Sequence, residues 1–179
     1  WRGVKDPYYI WISEIMLQQT RVEAVKGYYE RFVTRLPTVK HLADVEYEIL
    51  YKLWEGLGYY TRARNLKKAA EKILSQHQGV FPKSYEDVIA LPGVGEYTAG
   101  AICSIAYNMP TPAVDGNVLR VAARLLNDHS PVDTTSFKRY IHQMLSEVYP
   151  SDAGTFTQSL MELGATVCGP NRKAQCGAC

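Results

Sequence analysis

Apolar residues recur every three to four positions along most of the chain, so helices dominate the expected structure. Asp6 and Pro7 read as a cap and a first-turn proline opening the helix YYIWISEIMLQQ. Apolar residues occupy several faces of that helix, which places it in the core. Thr20 and Glu23 have capping-box spacing ahead of VEAVKGYYERFVTRL, and Pro37 stops that segment. Thr38 and Asp44 stand where they can cap two shorter helices. The glycine-rich break GLGYY follows at 56–60. The segment RARNLKKAAEKILSQHQG then predicts a long amphipathic helix ending at Gly79. Ser84 and Asp87 start another, ending near Leu91. Further helices are predicted over 96–108, 117–127, 135–149 and 153–166. No alternating strand pattern, internal repeat or low-complexity linker interrupts them. The expected fold is all-α, about ten helices with short connections.

A length of 179 residues suits one domain or two small lobes sharing a core. The 46% hydrophobic and 21% charged content is that of a folded globular chain. A net charge of +2 neither demands nor excludes nucleic acid, because a local basic patch can coexist with a balanced total. Thirteen tyrosines and three tryptophans are many for this length, and serve equally as fillers or as stacking groups. No apolar run is long enough to span a membrane, and no signal peptide is visible. The chain starts at Trp1 and stops at Cys179, and both ends read as trimmed.

Four features carry chemistry. The first is SYEDVIALPGVGEYTAGAICSIAYN, a helix, a tight glycine turn and a second helix. Glycines allow a close backbone turn, and the N–H groups around Gly93 and Gly95 then lack intrahelical partners. A phosphate oxygen would satisfy them, gripping a nucleic-acid backbone without reading sequence. A plain turn with glycines for packing is the other reading. The second feature is Glu14, whose helical neighbours include Ile10, Trp11 and Leu17. Such neighbours exclude water and favour a protonated carboxyl, suited to giving a proton near neutral pH. An internally paired Glu is the alternative. The third is Asp115, directly before the predicted helix GNVLRVAARLL. It reads as an N-cap, and a cap can also present negative charge to positive charge developing on a sugar. An acid and a charge stabiliser are the pair that glycoside chemistry uses. The fourth is the tail CGPNRKAQCGAC, where Cys168, Cys176 and Cys179 stand in a C-x7-C-x2-C spacing that suggests thiolate ligation of a soft metal.

Five blocks in order, WISEIMLQQTRV (11–22), LWEGLGYYTRARNLKKAA (53–70), LPGVGEYTAGAI (91–102), VDGNVLRVAARL (114–125) and MELGATVC (161–168), closely resemble the adenine DNA glycosylases. These form the MutY group of the helix-hairpin-helix DNA glycosylase superfamily. The resemblance spans nearly the whole chain. It implies two helical lobes with a cleft between them, one over 20–132 with the hairpin at 84–108, the other built from 1–19 with 133–167. A cysteine cluster loop over 168–179 completes the single catalytic unit. It implies removal of adenine mispaired with 8-oxoguanine or guanine. Glu14 is then the general acid that protonates adenine N7 and handles the water. Asp115 stabilises the oxocarbenium ion, Tyr97 lines the reaction site, and Asn117 holds the catalytic groups. Gln18, Gln19 and Tyr59 match residues that probe or wedge the duplex, as a flipped-out base requires. For Tyr59 a plain core or surface tyrosine is the alternative. Gly93, Gly95 and Thr98 match the hairpin's DNA contact, and Trp11, Arg21 and Glu162 match positions near the adenine pocket.

In the endonuclease III-like branch, the position of Tyr97 is a lysine that forms a Schiff base and permits strand cleavage. A phenol cannot form an imine, so a monofunctional glycosylase is expected. The family's C-x6-C-x2-C-x5-C spacing binds a [4Fe–4S] cluster. Here the first gap is seven residues and a fourth cysteine would fall beyond Cys179, with Cys103 a poor substitute. The full protein is expected to carry the cluster and this chain to hold it incompletely. Arg172 and Lys173, in the loop between cysteines, are the expected phosphate contacts. Members usually carry a second, C-terminal domain that recognises 8-oxoguanine, and its lack would weaken that preference. The expected partner is double-stranded DNA with A:8-oxoguanine or A:G mispairs, bound by a monomer, with no membrane. The expected setting is the cytoplasm or nucleoid of a prokaryote, or the nucleus or mitochondrion of a eukaryote. Three alternatives stay open: a thymine-mismatch glycosylase, a non-catalytic DNA-binding module and an all-α interaction domain.

Overall fold

A computed structural model describes residues 3–171 and 174–179. Among these residues the regular structure is helical, with one isolated antiparallel bridge between Cys168 and Ala174. Ten α-helices run in order: α1 Pro7–Leu17, α2 Val22–Arg35, α3 Val39–Asp44, α4 Tyr47–Trp54, α5 Thr61–Gln76, α6 Tyr85–Ile89, α7 Glu96–Tyr107, α8 Gly116–Leu125, α9 Thr135–Val148 and α10 Ala153–Glu162. None of the described helices is long and apolar enough to cross a membrane.

Local chemistry sets most of the helix starts. Asp6 accepts the Tyr8 N–H at 2.9 Å, with Pro7 in the first turn. Thr38 caps α3, and Ser84 caps α6 by accepting the Asp87 N–H at 3.1 Å. Two expected caps are corrected. The N-cap of α2 is Arg21, without a side-chain bond, because the Thr20 hydroxyl donates to Gln18 O and Glu23 pairs with Lys26. Asp44 ends α3 in an ion pair with Lys40, and Glu46 stands at the N-cap of α4.

The contacts group the chain into two compact units, 1–98 and 99–179, with the division inside α7. In the first unit α1 packs on α2 and α5. In the first unit α5 also packs on α3 and α4. Its core holds Trp11, Ile12, Met16, Phe32, Leu42, Leu50, Trp54, Leu66 and Ile73, all essentially inaccessible. Phe32 and Trp54 meet edge to face at 5.9 Å. Each such side chain contributes about 1.5–3 kcal/mol through burial. In the second unit Val118, Leu119 and Ala122 of α8 pack with Phe137, Ile141 and Leu145 of α9. α10 runs on into a π-helical turn, Leu163–Val167, that lies against α8. A Cβ on Gly164 would stand 2.5 Å from Asn117 Cβ, so glycine is what permits this approach.

Candidate active site

In the first unit the expected acid sits inside the protein. Glu14 is in the middle of α1 and only 9% exposed. The hydroxyl of Tyr97, in the first turn of α7, donates to Glu14 Oε2 at 2.8 Å. Four residues further along α1, Gln18 donates from Nε2 to Thr98 Oγ1 at 3.5 Å, and Thr98 is buried. Two neighbouring residues at the start of the hairpin's second helix therefore face Glu14 in α1 and Gln18 at its C-cap, one turn apart. The turn between α6 and α7 exposes Gly93 and Gly95 on either side of the buried Val94, whose N–H goes to Leu91 O at 3.1 Å. Gly93 has φ 79° and lies so close to Asn65 of α5 that a Cβ would stand 2.8 Å from Asn65 Cβ. Gly95 has open space around it. The backbone between two exposed glycines can be approached closely by a ligand atom.

Of the residues expected to probe a duplex, Gln18 is half-buried and the other two are at the surface. Gln19 is exposed with φ 57°, and Tyr59 is 67% exposed with φ 47°. Both are left-handed non-glycine residues, a conformation that costs about 1–3 kcal/mol and persists only where the surroundings impose it. Arg21 and Glu162 are exposed on their respective units. Trp11 is different from expectation: it has no exposed surface and its ring packs edge-on against Tyr8 and Phe81. It is a core residue of the first unit. Arg172 and Lys173 lie outside the described residues.

In the second unit Asp115 is the N-cap of α8, and both carboxylate oxygens are held. Oδ1 accepts the Val118 N–H at 2.8 Å and Oδ2 accepts Asn117 Nδ2 at 2.8 Å. Asn117 Oδ1 in turn accepts from the Arg120 guanidinium at 2.8 Å. Arg120 also donates to Gly164 O at 2.6 Å and to Cys168 O at 2.9 Å. A chain of hydrogen bonds thus runs from the cap carboxylate through Asn117 and Arg120 to the start of the cysteine tail. Arg124 donates to Cys168 Sγ at 3.0 Å and to Gly169 O at 2.9 Å.

The cysteines depart from the expected cluster loop. Cys103 is buried in α7, while Cys176 and Cys179 are exposed about a short 3₁₀ turn. Among the described residues no group of three or more Cys, His, Asp or Glu comes together in a way that could hold a metal ion. Held in this arrangement, with Cys168 turned to Arg124, the described tail thiols do not form the thiolate cradle that an iron–sulfur cluster takes.

Arg120 and Arg62 are the functional candidates that the sequence did not single out. Arg120 stands three residues after Asn117 on one helix, a spacing that brings side chains together and could have marked it. Arg62 is 9% exposed on the buried face of α5 and gathers backbone carbonyls from two separate turns.

Residues 12–147 match the family model of the HhH-GPD superfamily base excision DNA repair proteins. The chain belongs to the HhH-GPD superfamily. It is 40% identical over 94% of its length to adenine DNA glycosylase of Buchnera aphidicola subsp. Baizongia pistaciae, covering 48% of that protein. Identity is 43% to the adenine DNA glycosylase of Schizosaccharomyces pombe, with 98% of this chain and 39% of that protein covered. For the Mus musculus adenine DNA glycosylase the identity is 44%, with 92% and 32% covered. The chain thus spans about half or less of these curated relatives. Among solved structures, a thermostable thymine-DNA glycosylase aligns over 100% of this chain and 82% of its own, with TM-score 0.90 and 28% identity. Endonuclease III in a non-covalent DNA complex aligns over 98% and 81%, with TM-score 0.84; at 24% identity this shows a shared fold.

Proposed function

We propose that this HhH-GPD chain is the catalytic part of an adenine-specific DNA N-glycosylase, acting on adenine opposite 8-oxoguanine or guanine as a monomer. The observation that carries the reading is the Tyr97–Glu14 contact. The residue at the hairpin position where an imine-forming lysine would stand is instead a phenol, bonded to the carboxyl of the expected acid. Glu14 gives its proton to the adenine ring, which makes the base a better leaving group. The C1′–N9 bond breaks, the base keeps the electron pair, and positive charge develops on the sugar. Asp115, held by Val118 N–H and Asn117, supplies a fixed negative charge for that cation. Water then adds its oxygen to C1′ and returns a proton to Glu14. Tyr97 keeps Glu14 oriented, and it offers no amine for strand cleavage. Gly93 and Gly95 grip a phosphate, while Gln18, Gln19 and Tyr59 occupy the space that the flipped base vacates. Arg172 and Lys173 add phosphate contacts. The [4Fe–4S] cluster of the resembled family needs more than Cys168, Cys176 and Cys179, and it has no step in this scheme.

The structural likeness to a thymine-DNA glycosylase favours a second reading, removal of thymine from a G:T mispair. The LQQT and GLGYY stretches and the adenine glycosylase relatives favour adenine. A base-release assay decides, on duplexes with A opposite 8-oxoguanine, G or T, and with T opposite G. Adenine release from the first two, with strand breaks only after alkali and none from Glu14→Gln, is the expected result. Thymine release would install the second reading. Duplex binding without any release would leave a non-catalytic DNA-binding module.

A further inference from the structure

We propose that Arg62 is the positioning residue that sets Gln18–Gln19 and Tyr59 in one fixed arrangement for entry into a duplex. The proposal rests on the reading of these three residues as duplex contacts. Its basis is a repeated geometry. One guanidinium nitrogen of Arg62 donates to Gln18 O at 2.6 Å and Met16 O at 2.9 Å, with Ile15 O at 3.1 Å and Thr20 Oγ1 at 3.4 Å around it. The other donates to Leu57 O at 3.1 Å and Gly58 O at 3.3 Å. Gln18 directly precedes Gln19, and Gly58 directly precedes Tyr59. In both turns Arg62 therefore holds the carbonyl just before a left-handed non-glycine residue, at φ 57° and 47°.

A peptide unit is planar, so fixing the carbonyl of one residue fixes the plane that carries the next residue's N–H. That plane is one of the two that define φ of the next residue; the peptide that follows is held as well, by Thr20 N–H on Leu17 O at 3.2 Å after Gln19 and by Arg62 N–H on Tyr59 O at 2.9 Å after Tyr59. Arg62 thus fixes the preceding plane of both left-handed residues from one rigid fork. The remaining surroundings support the same role. Trp54 Nε1 donates to Gly58 O at 3.0 Å, and the Arg62 guanidinium lies 5.4 Å from the Trp54 ring and 5.7 Å from the Tyr59 ring. Arg62 Nε is buried without a hydrogen-bond partner, so the clamp is maintained although one of its polar atoms is unsatisfied. Burial draws the guanidinium's pKa below its usual value, with the Tyr59 phenol opposing that, and arginine stays charged all the same. Lysine would keep the charge but lose the planar fork that reaches two turns at once.

The test is a mutant cycle in the 179-residue chain. Arg62→Lys is compared with wild type, and again in a Gln19→Ala/Tyr59→Ala background. Single-turnover base release is measured, together with fluorescence of 2-aminopurine placed beside the mispair as a report of unstacking. Expected is a loss of at least about tenfold in rate and a reduced fluorescence rise in the first comparison, and less than about twofold change in the second. Equal losses in both backgrounds would mean that Arg62 acts through general folding, and would overturn the proposal. If Gln19→Ala/Tyr59→Ala alone changes neither readout, the duplex-contact reading itself fails and the proposal with it. Should Arg62→Lys not fold, nitrogen NMR of the wild-type guanidinium replaces it: separate, slowly rotating Nη signals are expected, and averaged signals overturn the clamp.

Discussion

The two carboxylates proposed for catalysis are held in different surroundings. Glu14 lies mid-helix, buried in the first unit, where its own backbone groups are spent on α1 and its place is set by the helix around it. Asp115 lies at a helix start in the second unit, half-exposed, with each oxygen engaged by a donor. The one sits in a buried helix and accepts from the Tyr97 hydroxyl; the other is a half-exposed helix cap with a donor on each oxygen. The difference teaches what each tolerates. A group held by packing accepts a change of charge at constant shape. A group held by donors does not keep its place when the donors go.

The largest expected effect is at Glu14. Glu14→Gln keeps the volume and leaves the Tyr97 hydroxyl an acceptor, so stability changes little. Removing the proton donor should lower base release by about 10²–10⁴-fold, the usual range for a general acid. Single-turnover release and thermal melting, measured together, check this. A large loss of melting temperature would show that the polar contacts of the carboxylate, rather than the shape of its surroundings, hold this side chain.

Next is Asp115, where shape and charge can be separated. Asparagine is a competent N-cap, so Asp115→Asn should retain most stability while losing roughly 10²–10³-fold in rate. Asp115→Ala should lose the cap as well, at about 1 kcal/mol. A wild-type rate in Asp115→Asn, with loss only in Asp115→Ala, would show that the charge itself does nothing and that only the cap matters.

Arg120 comes third. Arg120→Gln withdraws donors from Asn117 Oδ1, Gly164 O and Cys168 O together. Leaving part-buried acceptors unpaired costs about 1–3 kcal/mol, so denaturant melts should shift by that amount. The rate should fall as well, since Asn117 then orients Asp115 less firmly. An unchanged rate with lowered stability would uncouple the tail contact from the carboxylate.

Sequence and structure agree where the causes are local. Asp6–Pro7, Thr38, Ser84 and Asp115 cap the helices they were expected to cap, because a cap involves a side chain and an N–H two or three residues away. Thr20 was misread because its hydroxyl faces Arg62, a partner 42 residues distant. Nothing in RARNLKKAA distinguishes Arg62, which is buried, from Arg64, which is exposed, until α1 is laid against α5. Trp11 was legible as apolar but not as fully enclosed, which depends on Phe81 coming in from a distant loop. Glu14 and Tyr97 each stood out on their own stretch, yet their bond required the hairpin helix to meet α1.

The smallest effect is predicted for the hydroxyl of Tyr97. Tyr97→Phe removes the donor at 2.8 Å from Glu14 while keeping the ring. If packing in α1 fixes Glu14, one hydrogen bond contributes only its net worth, about 0.5–1.5 kcal/mol, or a loss of no more than about tenfold in rate. Melting should move by a similar small amount. The corresponding change beside Asp115 is Asn117→Ala, which also breaks the link to Arg120 and should cost more than Tyr97→Phe in both readouts. A Tyr97→Phe loss that matched Glu14→Gln would reverse the ranking. It would mean that the phenol, rather than the walls of the helix, decides where the acid points, and that for both carboxylates the donors outweigh the packing.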